Sequence, residues 1–245
     1  MIVQLDDVSK TFGTAREPVV ALDSISLDVE KGEFLCVVGA SGCGKSTMLH
    51  LVAGLDQPSA GTVRVDGRPA LMFQEAALFP WLTVRDNVAL PLRLAGAGKR
   101  ERRERAEELL DLVHLEGQGG RRPHELSGGM RQRVALARSL ACDADILLMD
   151  EPFGALDAMT RDLLHDELER VWATTGVTVI FVTHNVREAA RLGDRILLLT
   201  SHPGRVAEEF AVRNGRPRRI DSPEVSNLAA TVTDRLREEV RSHGR

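Results

Sequence analysis

The run Gly39-Ala40-Ser41-Gly42-Cys43-Gly44-Lys45-Ser46-Thr47 matches the pattern G-x-x-x-x-G-K-[ST], with an apolar run before it and a helical pattern after it. Glycines have a physical purpose in that setting. Backbone N–H groups must turn inward around phosphate oxygens at a helix N-terminus, where partial positive charge lies, and a side chain would block the approach. Lys45 is then expected to reach the β- and γ-phosphates of ATP, Ser46 to coordinate Mg²⁺, and Thr47 to add a contact to phosphate. Cys43 sits inside this run, where Lys45 and the helix terminus are expected to stabilise a thiolate and lower its pKa. The alternative is a small residue that merely points away from solvent.

A second chemical cluster follows downstream. Ile146 to Met149 is an apolar strand pattern ending in Asp150 and Glu151. In an open α/β sheet the ligand lies beyond the carboxyl ends of the strands, which places Asp150 near the metal and lets Glu151, alternating in direction, polarise an attacking water. Val179 to Thr183, followed by His184, repeats this arrangement, and a histidine there can contact a γ-phosphate. Leu126-Ser127-Gly128-Gly129-Met130-Arg131-Gln132-Arg133 puts a hydroxyl and two glycines at a helix start, a further array of N–H donors. Standing alone, it would read as a capped helix with a solvated basic face.

These residues need elements to hold them. Short strand patterns at Val3 to Leu5, Ile25 to Val29 and Phe34 to Val38 lead into the glycine run, and Ser46 to Ala53 reads as a helix. Buried-type strands recur at Ile146 to Met149, Val179 to Val182 and Ile196 to Leu199, separated by helical patterns, which is the layout of a mostly parallel α/β sheet. Leu164, Leu168, Val171 and Trp172 form one helical stripe before Gly176. From Gln74 to about Leu140 the pattern is helical only, and its charged run Lys99 to Glu108 mixes signs as a solvated face does. The expected organisation is one domain over 1–245, with a core at about 1–73 and 141–212, an inserted helical lobe at about 74–140, and a tail with a helix at about 213–245.

Composition narrows the partners. With 32 basic and 36 acidic residues the formal charge is -4, so no global field favours nucleic acid or anionic lipid. Three cysteines without C-x-x-C spacing argue against a disulfide framework or zinc site and for a reducing cytosol. The N-terminus lacks the regions of a signal peptide, and the longest apolar stretches fall far short of the ~20 residues that cross a bilayer, so membrane work is expected to need another chain.

The glycine run, Gln74, the Ser127 run, Asp150-Glu151-Pro152, Gly154-Ala155-Leu156-Asp157 and His184 come in the order and spacing of the ATP-binding subunits of ABC transporters. The resemblance covers Ile2 to Val212. It implies a P-loop NTPase core with a mostly parallel sheet, an N-terminal antiparallel β part and an inserted all-helical lobe. Phe12 resembles the aromatic that stacks on adenine, a core phenylalanine being the alternative. Gln74 resembles the glutamine that senses Mg²⁺ and the attacking water, so Glu151, His184, Gln74 and Lys45 form the implied catalytic set, and Ser46, Gln74 and Asp150 the implied metal set. Two such domains pair head to tail, so Ser127, Gly128 and Gly129 of one copy would meet the γ-phosphate held by Lys45 of the other, with Asp157 crossing between subunits.

Phe73 to Trp81, Pro152 to Arg161 and Ser201-His202-Pro203-Gly204 look most like importers of the nitrate, sulfonate and taurine group. The resemblance therefore implies ATP-driven uptake of a small anionic solute through a separate permease at the cytoplasmic face of the cell membrane, with an extracytoplasmic binding protein delivering the solute. An exporter or a non-transport ABC ATPase is the alternative. Between Gly67 and Gln74 the chain is shorter than in that group, which bears on its peripheral β-hairpin. Leu78, Phe79, Pro80 and Trp81 are expected to line a groove for the permease, or else to pack inside the helical lobe.

Overall fold

Alternating patterns at the start of the chain form two long strands, β1 (Val3–Thr14) and β2 (Glu17–Val29), which pair antiparallel with Thr14 opposite Glu17. The computed structural model describes residues 1–14 and 16–243. After β2 come β3 (Phe34–Val38), α1 (Lys45–Val52), β4 (Ala60–Val65), β5 (Pro69–Met72), α2 (Val84–Leu94) and α3 (Lys99–Leu112). A 3-10 turn at Pro123–Glu125 precedes α4 (Gly128–Leu140), β6 (Ile146–Asp150), α5 (Ala158–Thr175), β7 (Thr178–Val182) and α6 (Val186–Leu192). The chain then forms β8 (Arg195–Leu199), β9 (Val206–Ala211) and α7 (Pro223–His243). Two compact units result, one made of Met1–Gly67 with the chain from Thr178 on, the other of Arg68–Val177.

In the first unit β1 lies between β2 and β4 in an antiparallel sheet, while β7, β3 and β8 run parallel and β9 adds an antiparallel edge. Every residue of β3 and β7 is buried, and Phe34 meets Phe181 with ring centroids 6.0 Å apart. Unbroken apolar runs are what a strand needs when both faces of its sheet are covered. Helix α6 packs on β3, and α7 packs on α6.

In the second unit β5 and β6 pair parallel, Pro69 opposite Ile146, and α2, α3 and α4 pack together. Helix α3 buries Ala106, Leu109 and Leu110 and carries its charges outward, with Arg105 paired to Glu108 at 2.8 Å. Leu164, Leu168 and Val171 are buried along α5, and Gly176 ends it in the left-handed region at φ 67°.

The architecture is the expected α/β class, with a mostly parallel sheet and an antiparallel N-terminal part. Three strands went unread in the sequence pattern. β4 and β9 hold no fully buried residue and so carry no strong apolar signal, while β5 is apolar but only four residues long and begins with proline. The short stretch between Gly67 and Gln74 holds β5, paired with β6, rather than a hairpin.

Candidate nucleotide site

In the first unit, β3 ends at Val38 and the glycine run turns directly into α1. Gly42 and Gly44 adopt φ of 76° and 92°, which L side chains rarely do. Space also selects glycine, because a Cβ on Gly44 would stand 2.7 Å from the Ala21 carbonyl and 2.6 Å from Leu22 Cδ2. Helix α1 begins at Gly44 with no side-chain cap and no acid in its first turn. Thr83 on α2, Ser127 on α4, Asp157 on α5 and Asn185 on α6 each accept from a backbone N–H, and α3, which starts at Gly98 without a side-chain cap, carries Glu101 in its first turn. An N-terminus without its own anion is a site for an external one.

Lys45 is buried at 6% exposure, and its Nζ donates to the carbonyls of Gly39 and Ala40, each at 2.9 Å. Ser46 is exposed and Thr47 half-buried. Cys43 overturns the expectation of a stabilised thiolate. Its side chain is fully buried, and burial pushes its pKa up, outweighing the opposing pull of Lys45, whose Nζ is 3.8 Å from Sγ. Desolvation of the charged form wins over one nearby cation.

Phe12 is exposed at 44% near the tip of the β1–β2 hairpin, opposite Val19, with Lys10 Nζ 5.0 Å from its ring centroid. It is therefore not a core residue. His184 is exposed and follows the carboxyl end of β7, the parallel neighbour of β3, so His184 and Gly39 leave the same edge of the sheet. The Thr183 amide donates to Val37 O at 3.1 Å, and the buried Thr183 hydroxyl donates to Glu188 at 2.6 Å, which fixes that edge. Sequence reasoning missed His202 as a neighbour of the cradle: a Cβ on Gly42 would lie 3.1 Å from its Cε1 and Nε2. Its sequence segment had been singled out, but its approach to residue 42 depends on how β8 returns.

In the second unit, Asp150 ends β6 half-buried, and Glu151 takes φ 45°, an uncommon conformation for a residue with a side chain. Gln74 and Glu151 face one spot. A Cβ on Gly154 would be 3.5 Å from Gln74 Nε2 and 3.8 Å from Glu151 Oε2. Ser127 accepts from the Met130 amide at 3.3 Å, and Asp157 accepts from the Thr160 amide at 3.0 Å; hydrogen bonding from Thr160, its side chain first and its amide second, holds the Asp157 carboxyl below its usual pKa. The starts of α4 and α5 approach closely: a Cβ on Gly129 would stand 2.5 Å from Thr160 Cγ2, and one on Gly128 3.3 Å from Leu156 Cδ2. Among the described residues no group of three or more His, Cys, Asp or Glu is placed to hold a metal ion.

The aromatic segment after Gln74 is not packed away. Trp81 is 67% exposed and Phe79 37%, their ring centroids 5.5 Å apart. The fully buried Asn87 fastens this segment, accepting from the Phe79 amide at 2.8 Å and donating to the carbonyls of Phe79 at 3.2 Å and Thr83 at 2.9 Å.

A buried parallel strand running through an uncapped glycine turn into a helix defines an α/β protein that binds nucleotide phosphates. The chain belongs to the ABC transporter family, which matches residues 22–154. It is 46% identical over 220 residues to a nitrate import ATP-binding protein, NrtD, of Synechocystis, covering 86% of this chain and 83% of that one. It is 44% identical over 246 residues to a taurine import ATP-binding protein, TauB, of Rhizobium johnstonii, covering 96% and 94%. Among solved structures, the dimeric ATP-binding cassette MJ0796 in a post-hydrolysis state with ADP and Pi matches with a TM-score of 0.77 and 36% identity, over 87% of this chain and 100% of that one. The chain is accordingly an ATP-binding ATP hydrolase of the ABC type. Among the described residues no helix is long and apolar enough to cross a membrane.

Proposed function

We propose that the chain is the ATPase subunit of an importer for a small anionic solute of the nitrate, taurine or aliphatic sulfonate type. Relatives named for nitrate and taurine import match nearly its whole length, which supports uptake over export. The observation that carries the catalytic reading is the uncapped start of α1 beside the buried Lys45. In this reading residues 39–47 cradle the phosphates, and Lys45 exchanges its backbone carbonyls for β- and γ-phosphate oxygens. Phe12, exposed on its hairpin, stacks on adenine. Glu151 accepts the proton of the attacking water, Gln74 orients that water, and His184 contacts the γ-phosphate.

The donor chemistry suits Mg²⁺. Ser46 offers a hydroxyl, Asp150 a carboxylate and Gln74 an amide oxygen, all hard oxygen ligands, and a magnesium site leaves other positions to phosphate and water. Mg²⁺ would neutralise charge on the phosphates. Two copies pair head to tail, in keeping with the dimeric cassette that the fold resembles, so that Ser127, Gly128 and Gly129 of one copy donate to the γ-phosphate held by the other and Asp157 crosses between them. The exposed Phe79 and Trp81, fastened by Asn87, offer a preformed apolar surface to a permease. The helical segment at about 74–140 then acts as the lobe that moves the permease, the core and tail flanking it. An extracytoplasmic binding protein delivers the solute, and the ATPase works at the cytoplasmic face of the membrane.

The test is Glu151→Gln in the complex reconstituted with its permease. Turnover should fall by about 10²- to 10⁴-fold while ATP binding persists and dimers accumulate. Labelled taurine and nitrate offered to vesicles then read the direction and cargo. Normal turnover rejects the role of Glu151, and ATP-driven efflux without uptake rejects import.

A further inference from the structure

The backbone that carries Gln74 has little regular structure of its own, since β5 ends at Met72 and α2 starts at Val84. Over residues 74–77 it is held instead by one helix. From α4, Gln132 Nε2 donates to the Gln74 carbonyl at 2.8 Å, and Arg138 donates from Nη1 to the Ala77 carbonyl at 2.8 Å and from Nη2 to the Ala76 carbonyl at 2.9 Å. Three bonds from two side chains thus reach three carbonyls within four residues. The Gln74 carbonyl dictates which end of the Gln132 amide faces it, because only the NH₂ can donate. Gln132 is 5% exposed, and its Oε1 has no hydrogen-bond partner among the described residues. Its amide N–H is committed to the loop backbone, which makes Gln132 a residue that places the loop.

We infer that Gln132 and Arg138 are positioning residues for hydrolysis, tying the backbone of residues 74–77 to α4 so that the Gln74 side chain is presented beside Glu151. The inference rests on the proposed role of Gln74. The same helix begins at Ser127, so a displacement of α4 when its start engages phosphate is delivered through Gln132 and Arg138 to Gln74. Arginine is suited to the task because its planar fork serves two successive carbonyls together, which a lysine ammonium does less well.

The experiment uses the full-length protein with ATP. In Arg138→Ala, kcat should fall by about ten- to a hundred-fold, the scale of a misplaced catalytic group, while KM stays within about two-fold. Amide exchange should speed up across residues 74–79 and stay unchanged across 39–47. Arg138→Lys should recover part of the kcat, and Gln132→Met, which keeps the volume and loses the donor, should lower kcat in the same direction should Arg138→Ala fail to fold. In a Gln74→Ala background, Arg138→Ala should add no further loss. An additive loss there, or unchanged exchange across 74–79, overturns the inference. Gln74→Ala with normal turnover instead overturns the role of Gln74, and the exchange measurement still reads the tie to α4 separately.

Discussion

The starts of α1 and α4 are both glycine-rich helix N-termini suited to phosphate, yet they are built in opposite ways. Gly44 begins α1 in the left-handed region, with no side chain on its amides and a buried lysine next in sequence. Ser127 begins α4 in an extended conformation, exposed, with its hydroxyl already accepting from Met130. The first is enclosed by its own chain, where Ala21, Leu22 and Leu199 crowd Gly39 and Gly44. The second is satisfied without any ligand. A helix terminus thus becomes a permanent anion site when its own cap is withheld, and a conditional one when a weak cap can be surrendered to a better acceptor. That difference suits a cradle that holds nucleotide in one copy and a second group that meets it only on assembly.

The comparison breaks most readily at Lys45. Lys45→Ala should weaken ATP binding by roughly 10- to 100-fold, the worth of hydrogen bonds to a charged group, whereas Ser127→Ala should leave the affinity of a single chain unchanged. A fluorescent-ATP titration in which both variants bind like the parent would erase the distinction. Next in size is Gly129→Ala, whose Cβ must displace Thr160 Cγ2 from 2.5 Å. Overpacking of this kind costs about 1–3 kcal/mol, read as a lower urea midpoint, and turnover should fall with it while nucleotide affinity holds. A midpoint equal to the parent's would mean the starts of α4 and α5 separate freely.

Ser127→Ala should itself cost about 1 kcal/mol of stability through the lost cap, and a loss near zero in urea unfolding would show that the hydroxyl does not cap α4 in solution. The smallest effect is on thiol chemistry. Desolvation raises the pKa of all three thiols, so access decides: Cys142 is exposed while Cys36 and Cys43 are buried, and a maleimide should label Cys142 first. Labelling of Cys43 should keep rising as pH climbs past the ordinary thiol range, because its folded form keeps the proton longer than an unfolded chain does. Peptide mapping that finds Cys43 modified first at neutral pH would contradict the enclosed cradle.

Much of the site was legible because its signals are local. A glycine run after a buried strand, two acids at a strand end and a Ser-Gly-Gly helix start each announce a backbone shape within a few residues, and the steric rules behind those shapes need no distant partner. β3 and α1 follow from unbroken burial and helical period in the same way. What stayed hidden depends on separation along the chain. Gln132 reaches Gln74 across 58 residues and Arg138 reaches Ala76 across 62, while His202 comes to Gly42 from the far end of β8. Cys43 shows the boundary within a single residue. Its cationic neighbour two positions away was visible in the chain, but the burial that sets the direction of its pKa comes from side chains brought by the whole fold, and desolvation outweighs one adjacent charge.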